Sequence, residues 1–194
     1  MQFRFFGAPI QLRVLYALIS SLLWWAMVEG ERFLINSLWG YVSDVTGAVY
    51  AALVLIPYLP GLNGNFKLRA LALLLCGVLS YWSATNFFFW LGKFAPWGMP
   101  DLILATAGIV GAVIAGIGAR MLIPLSLRWS GWIMLVLAGC LGGVVLGIGF
   151  DAGFTMKNGV PNLYLLPGHI TWQVLVCLAL YYGSERITPP PARS

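Results

Sequence analysis

The chain has 194 residues, 60% of them hydrophobic and 9% charged, with a formal net charge of +5 and a mean hydropathy of +0.88. A soluble domain carries about a quarter of its residues as Asp, Glu, Lys or Arg, so lipid is the expected solvent, and spans of about 20 residues leave room for one bundle and no second domain. The cations are scattered through short loops with no basic run, which speaks against nucleic acid and is explained by topology and anionic headgroups.

The charges fall between apolar runs and alternate in kind. Odd gaps hold eight of the eleven Lys and Arg residues with one acid, and even gaps hold three with five acids. Because Lys and Arg are retained on the cytoplasmic side, this predicts an all-α membrane protein of six spans. Both termini are expected in the cytoplasm of a bacterial-type inner membrane. One transmembrane domain, 1–187, would be followed by a mobile polar tail, 188–194.

The first span is expected over 11–28, ending in Trp24 and Trp25 as part of an outer aromatic belt and closed by Glu29-Gly-Glu-Arg32. No small-x-small cleavage site follows it, so it reads as a retained helix. Residues 33–42 suggest a short interfacial helix or an outer extension of span two. Span two is expected over 45–59, started by the polar stretch around Asp44 and broken by Pro57, Pro60 and Gly61. Span three, 68–91, ends in Phe87-Phe88-Phe89-Trp90, and span four, 102–119, follows Pro100-Asp101. Arg120 and Arg128 bracket a tight turn containing Pro124. Spans five and six are expected over 129–150 and 163–182.

Gly139, Gly143 and Gly147 recur at four-residue spacing, as do Gly108, Ala112 and Gly116, with Gly111 on an adjacent face. Small residues at that interval let helix backbones approach closely in lipid, so these glycines are expected to pack spans four and five into a hairpin. Asp44 and Asp101 precede inward-running helices, where a carboxylate caps free N–H groups and meets the positive dipole end. Glu29, Glu31 and Asp151 fall at outward C-terminal ends, where local structure does not call for an anion. They are either solvated loop charges or an acidic outer mouth.

His169, Gln173, Cys177 and Tyr181 stand at successive four-residue steps and share one face of span six. A polar stripe in lipid should turn inward, with Ser20, Ser21, Ser80, Ser83 and Asn86 as candidate neighbours. His169 either fixes helix packing through its hydrogen bonds or accepts a proton or ligand contact. As the only histidine, it cannot build a three-His zinc site or bis-His haem ligation. No metal and no cofactor are expected, although counting alone leaves room for a single axial haem or chlorin ligand. Cys76, Cys140 and Cys177 lie deep in apolar runs with no metal-ligand or disulfide spacing.

The chain has no GxSG serine, no paired EExxxR motif, no aspartate-rich helix and no lysine deep in its last run. The leading expectation is therefore a small transporter or channel-like protein, or a subunit of a membrane complex, with His169, Gln173 and an outer carboxylate (Glu29, Glu31 or Asp151) at a polar site. Its partners would be the bilayer, an unspecified small solute or lipid, and other membrane subunits. The alternative is an intramembrane enzyme acting on a lipid-linked or envelope substrate at the periplasmic face, with His169 as base and an outer acid as its partner.

Overall fold

The computed structural model describes residues 10–34, 39–56, 65–94, 100–122, 125–154 and 165–186. Its elements are α1 (Ile10–Leu34), α2 (Trp39–Tyr50), a π-helical turn (Ala51–Leu55), α3 (Phe66–Gly92), α4 (Pro100–Leu122), β1 (Leu125–Leu127), α5 (Trp129–Phe154), α6 (Leu165–Gly183) and β2 (Ser184–Arg186). Among the described residues five stretches are long and apolar enough to cross a membrane: Ile10–Met27, Phe66–Gly92, Asp101–Leu122, Trp129–Gly149 and Leu165–Gly183. The apolar part of the remaining helix, Val45–Leu55, is shorter. The expected tail 188–194, the prolines 57, 60 and 124, and Lys157 lie outside the described residues.

Each helix packs on its neighbour in sequence, and α6 returns to α1, closing a ring. Contacts across the seams run in opposite chain directions. Gly139 meets Gly108 while Gly147 meets Asp101 between α4 and α5. Gly131 meets Gly183 while Gly168 meets Leu146 between α5 and α6. Ser21 lies at His169 and Arg13 at Tyr181 between α1 and α6. Neighbouring helices at these seams are thus antiparallel.

Close backbone approach is concentrated where glycine removes the side chain. A Cβ at Gly139 would overlap the carbonyl of Gly108, and one at Gly143 would overlap that of Leu104. The lipid environment supplies no hydrophobic drive between helices, so dispersion contacts of this closeness take its place. Gly111 instead faces Trp172 and Ala84, and Gly116 lies under Leu135 and Trp132.

The surface, unlike that of a soluble bundle, is lined by large apolar side chains. Leu68, Leu71, Leu75, Leu79 and Trp82 form an exposed stripe on α3, and Leu15, Ile19, Leu22 and Leu23 do so on α1. Phe89 and Trp90 are exposed at one end of α3, and Trp129 at the start of α5. Arg13, Ser20, Ser21, Thr46, Ser80 and Gln173 are buried. A largely apolar surface, with these few polar side chains turned into a core that also holds Leu55, Leu73, Leu135 and Leu180, is the arrangement expected of helices whose solvent is hydrocarbon.

Several expected boundaries are corrected. α1 does not close at Glu29 but carries Glu29, Glu31 and Arg32 in helix as far as Leu34, because charged residues beyond the hydrocarbon do not break a helix. α2 begins at Trp39, so among the described residues 33–42 holds the end of α1 and the start of α2 rather than a separate short helix. Asp44 consequently lies inside α2 rather than capping it. The polar and small residues beside it serve packing, since Thr46 is buried and Gly47 rests against Gly77 of α3. Asp101 is in the first turn of α4, behind Pro100, where the dipole favours it. Asp151 falls within α5, which continues to Phe154.

One further departure is a short antiparallel ribbon in an otherwise α-helical fold. Leu125, Ser126 and Leu127 pair with Arg186, Glu185 and Ser184, and the Arg128 N–H donates to the Gly183 carbonyl at 3.0 Å. This ribbon ties the α4–α5 connection to the end of α6.

Candidate functional site

The stripe on α6 faces protein. Gln173 and Cys177 are fully buried, His169 and Tyr181 half-buried, and four-residue spacing puts all four on the side turned toward α1 and α3. At the ribbon end of this stripe the Arg13 guanidinium lies over the Tyr181 ring, 5.6 Å from its centroid.

Near the middle of the helices the side chains form a polar and aromatic layer. The Gln173 amide donates from Nε2 to the Tyr81 hydroxyl of α3 at 2.8 Å. Tyr81 stands edge-on to Trp172 with centroids 5.3 Å apart and 5.9 Å from Tyr50 of α2, which is itself 5.3 Å from Trp172. Such tilted and edge-to-face pairs suit the ring quadrupoles. One turn along α6, the His169 ring stacks on Trp24 of α1 at 3.3 Å and lies within 14° of parallel to Tyr81, centroids 6.4 Å apart.

Hydroxyl and indole donors fasten the helices around this layer by sharing carbonyls already used in helical ladders. Ser21 Oγ donates to Ala17 O at 2.9 Å and lies 3.3 Å from His169 O. Ser80 Oγ donates to Gly111 O at 2.6 Å, and Trp172 Nε1 donates to Gly108 O at 3.0 Å. Trp172 thus bridges α6 to α4, and its own backbone lies against Gly142 of α5.

Not every polar atom here is satisfied. His169 Nδ1, Gln173 Oε1 and Ser20 Oγ are buried with no hydrogen-bond partner in the protein. Each such atom costs about 1–3 kcal/mol in a dry interior. Asp101 Oδ1 is a further buried acceptor of this kind, on the separate α4–α5 seam beside Gly147.

The expected site residues are therefore distributed as follows. His169 and Gln173 share the layer with Ser21, whose Oγ lies at His169 O; Ser20 is buried on α1. Ser80 is buried but committed to α4, and Asn86 is exposed and donates to Trp82 O of its own helix at 2.8 Å. Ser83 is half-buried. The backbones of Glu29, Glu31 and Asp151 are helical, but their side chains lie outside the described residues. Among the described residues no group of three or more His, Cys, Asp and Glu side chains is placed to hold a metal ion.

Trp24, Tyr50, Tyr81 and the π-helical turn were not expected. Trp24 was read as belt, yet it is packed against the core under the imidazole. Tyr50 directly precedes the π-helical turn, a distortion that recurs at functional sites. The available signal was position: tyrosines belong at membrane interfaces, and these two lie well inside their apolar runs. In comparisons with known proteins the chain matches no family model, no curated protein and no solved structure.

Proposed function

We propose that the protein is a small multi-pass membrane protein that binds a neutral polar solute in the interior of its helix ring and lets it pass. The observation that carries this reading is the set of buried, unpartnered atoms at His169, Gln173 and Ser20. Mid-membrane polar side chains are expensive and mark solute pathways by default, and Gln173 and His169 are held by Tyr81 and Trp24. In this reading Gln173 Oε1 accepts from the solute, Ser20 Oγ donates or accepts, and His169 Nδ1 takes whichever role its tautomer leaves free. Tyr81 holds the amide in place, and Trp24 holds the imidazole.

The charge alternation supports six crossings with both termini in the cytoplasm of a bacterial-type inner membrane, α2 with its π-helical turn being the sixth. His169 then lies in the periplasmic half, on the same side as Glu29, Glu31, Asp44, Asp101 and Asp151. Swelling and shrinkage of reconstituted vesicles in glycerol or urea gradients tests the function. Protein-dependent flux should be lost in Gln173→Leu and in His169→Leu. Flux equal to that of empty vesicles, or unchanged in both variants, would refute it.

A further inference from the structure

We infer that α1 is a lateral gate in the helix ring, pivoting at Arg13 and swinging away from α6 at Trp24 to bare the interior polar atoms, an inference that rests on the solute-site reading above. Gln173 is fully buried, and its Oε1 and the Nδ1 of His169 are sealed with no hydrogen-bond partner. A solute reaches these atoms only when two helices part.

Three seams are closed backbone to backbone. Between α4 and α5 a Cβ at Gly139 or Gly143 would overlap a carbonyl of the facing helix, and Gly47 and Gly77 join α2 to α3 in the same way. Between α5 and α6, Gly131 meets Gly183, Gly142 meets the Trp172 backbone and Gly168 meets the Leu146 backbone. Dispersion contacts of this closeness fall off steeply with separation, so these seams resist opening. The Ser80 bond to Gly111 O, 2.6 Å long, fastens α3 to α4, and the ribbon ties the end of α6 to the α4–α5 connection. At the α1–α6 seam the helices are held through side chains, and none of the glycine contacts among the described residues involves α1.

The two ends of this seam differ in strength, and that sets the pivot. Arg13 is buried with its guanidinium over the Tyr181 ring, and a cation–ring contact gains most when it is desolvated. Tyr181 is also two residues from Gly183, whose carbonyl accepts from the Arg128 N–H. About three helical turns along α1, Trp24 and His169 are stacked but only half-buried, beside the exposed Leu22 and Leu23. Ser21 Oγ is 3.3 Å from His169 O but 2.9 Å from Ala17 O of its own helix, so parting the helices leaves that hydroxyl bonded. Opening at Trp24 gives up a ring stack and brings a partner to His169 Nδ1, whose burial without one is unfavourable. Loss and gain oppose each other, which keeps both arrangements within reach.

The test uses the full chain in phosphatidylcholine nanodiscs containing excess glycerol, with pairs of spin labels carried on p-acetylphenylalanine so that the native cysteines stay in place. Labels at Leu23 and Pro167 report the gate, labels at Gln11 and Tyr182 the pivot, and labels at Ile148 and Pro167 the glycine-packed α5–α6 seam; all five positions are exposed. Pulsed dipolar spectroscopy should show a second, longer distance for the gate pair, displaced by about 3.5–4 Å, the room one layer of atoms needs between two rings. The other two pairs should each show one distance. Trp24→Ala should raise the longer component about two- to tenfold relative to the shorter, the effect of losing one ring pair. Trp24→Phe, which keeps a stacking ring, should raise it less. A single gate distance in the parent protein, or a spread shared equally by all three pairs, overturns the gate whether or not the variants fold. Glycerol flux through vesicles of the same protein separates the two readings. Flux with a fixed gate pair refutes the gate and leaves the solute site, whereas a moving gate pair without flux leaves the gate and removes the solute site.

Discussion

The imidazole of His169 lies almost flat on the indole of Trp24, with ring centroids 3.3 Å apart and planes inclined by 24°. One helix therefore supplies the polar group, and another, distant in sequence, fixes its orientation. Stacking needs only a flat ring, whereas solute contact needs Nδ1. His169→Phe should accordingly keep stability within about 1 kcal/mol yet abolish vesicle flux. Trp24→Ala should cost about 2–4 kcal/mol, below the usual range for a fully buried indole because Trp24 is half-buried. Denaturant titration in detergent micelles measures both.

The Gln173–Tyr81 bond predicts non-additivity. Tyr81→Phe leaves the amide with no partner at either end and should destabilise by about 1–2 kcal/mol. In a Gln173→Leu background the same substitution should cost less, a coupling of about 1 kcal/mol. A double-mutant cycle on unfolding free energies checks it, and strict additivity would show the bond to be energetically idle.

Helix contact at glycine predicts position-specific intolerance. Gly139→Val drives a branched side chain into the Gly108 carbonyl and the backbone of Ile109; forced separation of α4 from α5 should cost about 1–3 kcal/mol or more. Gly92, where an added Cβ meets nothing within 4 Å, should accept alanine with no loss. Thermal melts of the two variants, compared with the parent protein, separate local crowding from a general effect of losing glycine.

Lipid as solvent predicts that two leucines of identical chemistry behave differently. Leu135→Ala removes a fully buried side chain and should cost about 2–5 kcal/mol. Leu71→Ala, on the exposed stripe of α3, exchanges contact with lipid for contact with lipid and should change stability by less than about 0.5 kcal/mol. Similar losses at both positions would mean that the α3 stripe is covered by protein.

Apolar runs and their lengths were legible because the bilayer imposes them: helices form where Leu68–Leu91 and Trp129–Phe150 were expected, and five of the spans qualify by length and apolarity. Helix ends were read less well. Asp44, Thr46 and Gly47 look alike whether they start a helix or pack inside one, and only the presence of Gly77 opposite decides between the two. The inward face of α6 followed from its four-residue polar spacing. Its frame did not, because Trp24 acts on His169 and Tyr50 on Trp172 across helices far apart in the chain, and helical periodicity is blind to contacts between helices. The ribbon at Leu125–Leu127 was hidden for the same reason.

The π-helical turn at Ala51–Leu55 has a bearing on which changes in chain length the protein tolerates. An α-helix advances about 100° per residue, and a π turn holds extra chain within one revolution. Deleting a single residue from this segment would let it relax into regular helix at the same overall height. Tyr50, and everything before it in α2, would keep nearly the same facing relative to Leu55, because the residue lost is the one that the wide turn absorbs. The tyrosine would stay against Tyr81 and Trp172 and Gly47 against Gly77, whereas the same deletion inside a regular stretch of α2 would turn the residues before it by about 100°. The segment thus works as a phase adjuster, a place where the chain can shorten by one residue and leave both flanks seated.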